Sequence, residues 1–454
     1  MKDIAQPNPK AISQPNPKVI RFALLNGGGK MRYIKRIVDG EIGSKLKSSG
    51  AILVRGPKWC GKTSTCEQFA RSALKLRDPD TYASNMEALD IRPSLLLRGE
   101  RPRIIDEWQV APTLWDAVIN AIDEEGGAPG QFLLTGSATP IGVSREDKPK
   151  HTGTGRIGRV DMDPMSLEES GVSSCEVHLA GLFSGQQEVE GVSSVSIEEY
   201  AELICAGGWP APISRGVRDF GIAADYLDAL CESDISEASG SALDPMRARA
   251  LLRSIARNSA QEASIATLLA DVEDVGVGMS EPTLRVYLAA LRRLFVIEDV
   301  PAWAPTLRSK VPLRSSSTWH LCDPSLAAAA LNTSPEGLLS DLVTMGYLFE
   351  SLCVRDLRVY LRSMGGGVFH YRDKNGLEAD VIARLNDGRW GAIEVKLGGQ
   401  KRIDEGAQHL LALSDKVDHS KSGAPAFLMV LTGGQYAYTR SDGIHVVPLG
   451  CLAH

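Results

Sequence analysis

The sequence predicts an α/β protein: a P-loop core built on a parallel sheet, a helical middle region, and a second α/β unit at the C-terminus. Three observations carry that expectation. An apolar strand, Ala51-Ile52-Leu53-Val54, runs directly into a glycine-bounded loop and then a helix-like stretch over 64–73. From about 32 to 172 strand-like and helix-like segments alternate, with apolar strands at 51–54, 104–105 and 132–135, as in a doubly wound sheet. Near the C-terminus come strand-like runs at 368–372, 377–385, 389–397 and 426–432, with turns at Asp373-Lys374-Asn375-Gly376 and Asn386-Asp387-Gly388. Asn-Gly and Asp-Gly between apolar runs favour tight hairpins.

The loop after the first strand fills G-x-x-x-x-G-K-[ST] with Gly56, Gly61, Lys62 and Thr63, enclosing Pro57, Lys58, Trp59 and Cys60 and followed by Ser64. Strand, glycine loop and helix start let backbone N–H groups surround a β-phosphate. The lysine then reaches the β- and γ-phosphates, and the threonine hydroxyl ligates Mg²⁺. A chance match in a chain with 44 glycines among 454 residues need not fall between a strand and a helix. Residues 56–64 are therefore expected to bind a nucleoside triphosphate, with ATP and Mg²⁺ as cofactors.

Hydrolysis needs more than binding. Arg103-Ile104-Ile105-Asp106-Glu107 ends a short apolar strand in two acids, which suits Asp106 to hold Mg²⁺ and Glu107 to act as general base on the attacking water. A third strand, Gln131 to Ser137, ends in small polar residues. Its hydroxyl could sense the γ-phosphate, with Ser137 favoured and Thr135 the alternative. Downstream, Thr152-Gly153-Thr154-Gly155-Arg156-Ile157-Gly158-Arg159 offers two arginines in a glycine-rich setting. Either Arg156 or Arg159 could stabilise phosphoryl charge across a subunit interface; otherwise both are surface arginines.

With these motifs in view, residues 31–215 resemble the AAA-type ATPases of bacteria and archaea. The matching segments are Gly56–Thr63, Ile104–Gln109, Leu134–Ser137, Gly155–Ile157, Pro164–Leu167 and Gly207–Pro210. The resemblance covers nearly everything after residue 30. It implies an AAA-type ATPase fold, a winged-helix-like segment, and a C-terminal domain similar to restriction endonucleases. It also implies a homo-oligomer, with a hexameric ring favoured. The expected division is a flexible tail over 1–30, the ATPase domain over 31–215, a helical, winged-helix-like region over 216–318, and a nuclease-like domain over 319–454. The tail carries Gln-Pro-Asn-Pro-Lys at 6–10 and again at 14–18, a composition that cannot bury a core. The segment Gly207 to Pro212, rich in glycine and proline, reads as the joint between the first two domains.

In the middle region two helices are expected, over 261–270 and 280–298, the second with Ser280 as N-cap and Pro282 in its first turn. Leu284, Leu288, Leu291 and Phe295 form an apolar stripe, and Arg285, Arg292 and Arg293 lie largely off it. Arg308, Lys310 and Arg314 follow the helix. A helix-turn-helix with a basic wing would touch DNA phosphates through these side chains. A solvated face in a structural module explains them equally well.

The C-terminal strands carry a second constellation. Glu378 and Asp380 stand on one strand and Glu394-Val395-Lys396 on the next. Alternate strand residues share a face, so Glu394 and Lys396 project together and Asp380 can approach Glu394 across the turn. Glu350, on a helix expected over 340–362, adds a third carboxylate, and Gln408 sits on the following helix. Carboxylates holding Mg²⁺ beside a lysine make a layout for phosphodiester cleavage. The arrangement resembles the PD-(D/E)xK nucleases, with Asp380 as the D and Glu394 and Lys396 as the ExK. Ala379 replaces the family's proline. The resemblance implies Glu350, Asp380 and Glu394 as metal ligands and Lys396 as catalytic. Nuclease-like domains also serve as inert DNA-binding platforms.

Composition sets the remaining bounds. A net charge of −6 gives no global attraction to nucleic acid, so DNA contact would need a local basic surface. Eight cysteines without a Cys-x-x-Cys pair argue against a zinc site or a disulfide framework. No apolar run approaches the roughly 18 residues that span a bilayer, and the expected location is the cytoplasm. The leading reading is an ATP-hydrolysing protein that remodels or translocates DNA, with a C-terminal domain that binds or cuts it. The alternative is an ATP-dependent switch that binds a protein partner and carries an inert nuclease-like domain. A small-molecule kinase fits the paired acids and the long C-terminal region poorly.

Overall fold

The computed structural model describes residues 33–136, 151–186, 188–305 and 316–454. The expected tail, Ser137, and the wing residues Arg308, Lys310 and Arg314 lie outside them.

The first unit is α1 (Val38–Lys45), β1 (Ala51–Arg55), α2 (Lys62–Glu67), β2 (Ser72–Lys75), α3 (Tyr82–Ile91), β3 (Arg103–Asp106), α4 (Thr113–Glu124), β4 (Phe132–Gly136) and β5 (Ile157–Asp161). Its five strands are all parallel and ordered β2-β3-β4-β1-β5. Strand alternation explains both faces. Ile52, Val54, Ile104, Leu133 and Val160 pack with Ile42 and Cys66 on one side. Leu53, Ile105, Phe132 and Leu134 meet Leu114, Trp115, Val118 and Ile122 of α4 on the other. A parallel sheet covered on both faces reads as continuous apolar runs, which is why strands β1, β3 and β4 were visible in the sequence.

The helix expected over 64–73 ends at Glu67, and Ser72–Lys75 is a strand. Leu74 and Leu76 are buried while Ala73 and Lys75 are exposed. That two-residue period lets the segment pair along β3, Ser72 beside Arg103 and Lys75 beside Asp106.

The second half begins with β6 (Val177–His178), α5 (Leu179–Phe183), β7 (Gly191–Val192), α6 (Ile197–Ala206) and α7 (Pro210–Ser214). Next come α8 (Ile222–Ala229), a π-helical turn (Leu230–Asp234) and α9 (Ile235–Ser239). Then follow α10 (Pro245–Arg257), α11 (Ile265–Asp274), α12 (Glu281–Arg293), β8 (Ile297–Val300) and β9 (Thr318–Leu321). The chain continues through α13 (Pro324–Ala330), α14 (Pro335–Ser340), α15 (Leu342–Ser363), β10 (Gly366–Arg372), β11 (Glu378–Leu385), β12 (Trp390–Lys396) and α16 (Gln400–Lys416). It closes with β13 (Leu428–Thr432), β14 (Tyr436–Thr439), β15 (His445–Pro448) and β16 (Leu452–Ala453). A mixed seven-stranded sheet is ordered β10-β11-β12-β13-β15-β14-β7.

One apolar cluster runs from Leu167 to Leu452 and joins the helices to one face of this sheet. Strand β7 extends the sheet next to β14, and β6 pairs with β16. The stretch from 167 to 215 therefore packs with the C-terminal half rather than with the five-stranded sheet. The Gly207–Pro212 segment, expected as a joint, is part of that core. Trp209 is buried and donates from Nε1 to Ser325 Oγ, and Gly208 N donates to Asp323 Oδ2. Its glycines answer close approach: a Cβ on Gly208 would lie 2.3 Å from the Met165 carbonyl oxygen.

The middle region holds α10, α11 and α12 and then the antiparallel β8–β9 pair, to which Ser259 and Glu262 add bridges. Ser280 caps α12 by accepting from Thr283 N, and Leu284, Leu288 and Leu291 are buried as the stripe predicts. The helix stops at Arg293 instead of 298, because Phe295 turns to a positive φ of 58° and Ile297 enters β8. Of its arginines, Arg285 pairs with Glu281 and Arg292 with Asp299 at the surface. Arg293 instead donates to the Ala238 carbonyl at the end of α9.

Among the described residues no helix is long and apolar enough to cross a membrane. All eight cysteines are free thiols.

Candidate nucleotide-binding site

The P-loop leaves the C-terminal end of β1, where ligands bind in open α/β sheets. Gly56 has φ 156°, and a Cβ there would come within 2.0 Å of the Met162 carbonyl oxygen. Gly61, at φ 100°, is the N-cap of α2. Between them Trp59 adopts a left-handed φ of 62° and stays exposed, its ring edge-on to Tyr226 at 6.4 Å. Both glycines that bound the loop thus have positive φ.

Lys62 is buried and its ammonium donates to the Gly56 and Pro57 carbonyls at 3.0 and 2.7 Å. Thr63 Oγ1 donates to Asp106 Oδ1 at 2.7 Å, across from the loop to the end of β3. Thr135 on β4 donates to the same oxygen. The adjoining Glu107 sits at φ 57°, ψ 47°, and its N–H donates to Thr135 Oγ1 at 3.3 Å. Gln109 Nε2 donates to the Glu107 carboxylate at 2.5 Å. A hydroxyl and a carboxylate are hard oxygen donors suited to Mg²⁺, and Thr63 and Asp106 already share a contact, so the pair fits that ion.

The loop is braced from both sides. Arg36 donates to the Cys60 carbonyl and the Asp163 carbonyl, each at 2.8 Å, and pairs with Glu169 at 3.1 Å. Burial pushes the Cys60 thiol up from its ordinary value, which leaves it a small apolar filler under the loop. Lys58 pairs with Asp234 of the π-turn, 2.7 Å away. Ser64 is exposed on the first turn of α2.

Neither finger candidate reaches this chain's own loop. The Arg156 carbonyl accepts from Ala51 N, at the N-terminal end of β1, the far end of that strand from the loop. Its guanidinium pairs with Asp123 at 3.0 Å on the surface. Arg159 is exposed on the edge strand β5.

Lys62, Thr63, Asp106, Glu107 and Thr135, all marked by the sequence motifs, come together in the fold. Arg36, Arg77, Gln109 and Asp234 join them as neighbours that the motifs do not mark as site residues. Gln109 stands two residues after Glu107 in the segment Ile104–Gln109, which is a sequence signal for it. The other three belong to no motif.

The C-terminal constellation assembles in another form. Asp380 stands opposite Glu394 by register, where the ladder between Val381 and Ile393 ends, and its Oδ2 accepts from Val395 N at 2.7 Å. The Lys396 ammonium lies between Asp380 Oδ2 at 3.2 Å and Glu394 Oε2 at 2.5 Å. Glu394 is only 1% exposed, and its other oxygen, Oε1, has no hydrogen-bond partner. Burial first, then the nearby Asp380 charge, pushes the Glu394 carboxyl up to about 8. Burial and Asp380 raise Glu350 as well. Burial alone would lower Lys396, but the two carboxylates outweigh it and hold the ammonium above its usual range. Gln408 lies on α16. Among the described residues no group of three or more His, Cys, Asp or Glu is placed to hold a metal ion. As arranged, Glu350, Asp380 and Glu394 do not form a metal centre; an ammonium occupies the space between two of them.

Three families match separate parts of the chain. An AAA domain covers residues 48–171, a domain of unknown function (DUF8612) covers 197–337, and another (DUF4143) covers 345–452. No curated protein matches the chain. Among solved structures, a Walker-type ATPase of Pyrococcus abyssi is 16% identical, with TM-score 0.39, covering 68% of this chain and 99% of that one. The Aeropyrum pernix Orc1 protein in complex with DNA is 13% identical at TM-score 0.25, covering 69% and 96%. The replication initiator DnaA bound to AMPPCP and single-stranded DNA is 11% identical at TM-score 0.27, covering 56% and 86%. Residues 48–171, which hold the glycine loop and the Asp106–Glu107 strand end, are similar to the AAA domain.

Proposed function

We propose that this chain binds ATP with Mg²⁺ through residues 56–64, hydrolyses it, and uses the cycle to act on DNA. The observation that carries the ATPase reading is the single oxygen, Asp106 Oδ1, on which the Thr63 and Thr135 hydroxyls converge beside Glu107. Lys62 leaves the Gly56 and Pro57 carbonyls for phosphate oxygens, and the loop amides close on the β-phosphate. Thr63 and Asp106 would hold Mg²⁺, which neutralises charge on the phosphate oxygens. Glu107 orients the attacking water and accepts its proton. Arg156 or Arg159, turned outward on this chain, acts on a neighbouring copy in a homo-oligomer, and mass measurement with ATP tests the assembly.

Steady-state phosphate release checks the core of this reading. Lys62→Ala is expected to lose nucleotide binding, whereas Glu107→Gln binds ATP and turns it over at least about 100-fold more slowly. Unchanged turnover in both variants rejects the assignment.

The DNA reading draws support from α10–α12 and β8–β9, which follow one another in a winged-helix-like order with Arg285 and Arg292 exposed on α12. Basic groups on such a helix meet phosphates. The 319–454 unit is proposed to be nuclease-like, binding or cutting that DNA. A second reading keeps it catalytically inert in an ATP-dependent switch that binds a protein partner. The position of Lys396 between Asp380 and Glu394 favours inertness. Incubating linear, branched and single-stranded DNA with wild type, Asp380→Ala and Lys396→Ala separates the two. Cutting lost in both variants selects the nuclease.

A further inference from the structure

We infer that Trp59 is a nucleotide-specificity residue of the phosphate loop, its indole ring forming the surface on which the purine base of the bound triphosphate stacks. The inference rests on reading residues 56–64 as the nucleotide site and deepens it from the phosphates to the base.

Backbone and exposure single out Trp59. It sits inside the loop at φ 62°, a left-handed conformation that a bulky side chain adopts only under strain. Such strain persists where the surrounding structure imposes it, and it gathers at ligand sites. Trp59 is 59% exposed, whereas its aromatic neighbours Tyr226 and Trp209 are only 6% and 1% exposed. Those two stack at 5.2 Å with planes 29° apart, and Trp59 meets Tyr226 at 6.4 Å with planes 87° apart. One perpendicular contact covers at most one face of the indole, so the other is open to a flat ligand. The strained backbone thus holds a large apolar ring in solvent, braced from behind by a buried aromatic pair.

The direction of the polyphosphate brings the base to that ring. Thr63, Asp106, Thr135 and Glu107 gather where β3 and β4 end, and the metal-binding hydroxyl marks the γ-phosphate end. The nucleoside then leaves on the opposite side of the loop. Helix α8, the π-turn and α9 form one continuous run with right-handed helical backbone through both junctions. Along that run Glu237 meets Arg77, which follows β2, then Asp234 meets Lys58, and Tyr226 meets Trp59. About three helical turns separate Glu237 from Tyr226, so Tyr226 and Trp59 mark the end remote from the acids. Pro210, next to Trp209, also borders the loop: a Cβ on Gly61 would lie 3.3 Å from its Cγ. A base stacked on an aromatic side chain is recognised through its π-face, and the preference follows stacking strength.

The test is calorimetric titration of the full chain, in Mg²⁺, with nonhydrolysable analogues of ATP and UTP and with inorganic tripolyphosphate. Trp59→Ala should weaken the ATP analogue by about tenfold, the scale of one base–aromatic stack, and leave tripolyphosphate unchanged. The preference for the ATP analogue over the UTP analogue should shrink with it. Trp59→Phe keeps a stacking ring and should retain most of the affinity. Tryptophan fluorescence gives a separate signature: the ATP analogue should quench the wild type, tripolyphosphate should not, and Trp59→Phe should lose that response. The inference is overturned if Trp59→Ala binds the ATP analogue as tightly as the wild type. It is overturned equally if the variant loses tripolyphosphate in the same proportion, since the ring would then only support the loop. A wild type that binds neither the ATP analogue nor tripolyphosphate would instead sink the reading of residues 56–64, and this inference with it.

Discussion

Thr63 and Asp106 are separated by 43 positions in sequence, yet their oxygens meet at 2.7 Å. The pairing follows from the strand order: β4 lies between β1 and β3, and all three end at the same edge. A hydroxyl leaving β1's loop and an acid ending β3 converge there, with Thr135 from β4 between them. The site is thus assembled from three neighbouring strand ends.

Thr63→Val tests that convergence, since it keeps the shape and removes the hydroxyl. Turnover with Mg²⁺ should fall by about 100-fold, the scale of losing one transition-state charge contact, while metal-free nucleotide binding changes little. Equal loss in both assays would mean that Thr63 supports the loop and not the metal.

Gly56→Ala should destabilise the protein through backbone strain. Its φ of 156° and the 2.0 Å approach to the Met162 carbonyl oxygen leave no room for a methyl group. A cost of about 2–4 kcal/mol is expected, read as a lower midpoint in urea. Near-wild-type stability would show that the loop relaxes away from β5.

Arg355 on α15 is 3% exposed at its side chain and pairs with Asp323 at 3.0 Å and Asp356 at 2.7 Å. The two acids also accept backbone donors, from Gly208 and Leu167 respectively. Arg355→Met leaves two buried carboxylates without their cation, so a loss of about 3–5 kcal/mol is expected. A melting curve that moves by less than a few degrees would contradict this account.

Glu394 makes stability depend on pH with a definite sign. Its carboxyl is raised from 4.5 to about 8 in the fold, so the unfolded chain gives up the proton first. The group's stabilising contribution is fully present below about pH 4.5 and is lost as the pH rises through about 8. Wild-type stability should fall between pH 5 and 9 by an amount on the order of 1–3 kcal/mol, and Glu394→Gln should flatten that slope. Parallel slopes for the two proteins would remove Glu394 as the cause.

Tertiary context overrode the local reading at particular places. The stretch after the P-loop looked helical to Ala73, but β3 offered an unpaired edge and Leu74 and Leu76 could be buried against the core only from a strand. The Gly207–Pro212 segment looked like a joint because small residues and prolines mark turns. Here the glycines instead admit the Met165 backbone and bring Trp209 to Ser325. The Lys58 side chain pairs with Asp234, a partner 176 positions away that no local pattern marks.

The amino-acid order alone determined the phosphate loop, the acid pair at the end of β3, the core strands and the facing of Glu394 and Lys396. Each is encoded by neighbours in the chain, through fixed spacing, strand alternation or glycine geometry. Only the tertiary structure decided that Arg36 braces Cys60, that Asp234 holds Lys58, and that Lys396 fills the gap between Asp380 and Glu394. Such contacts form when surfaces remote in sequence pack together, and a charged side chain's partner is chosen by that packing, which leaves no periodic trace in the chain.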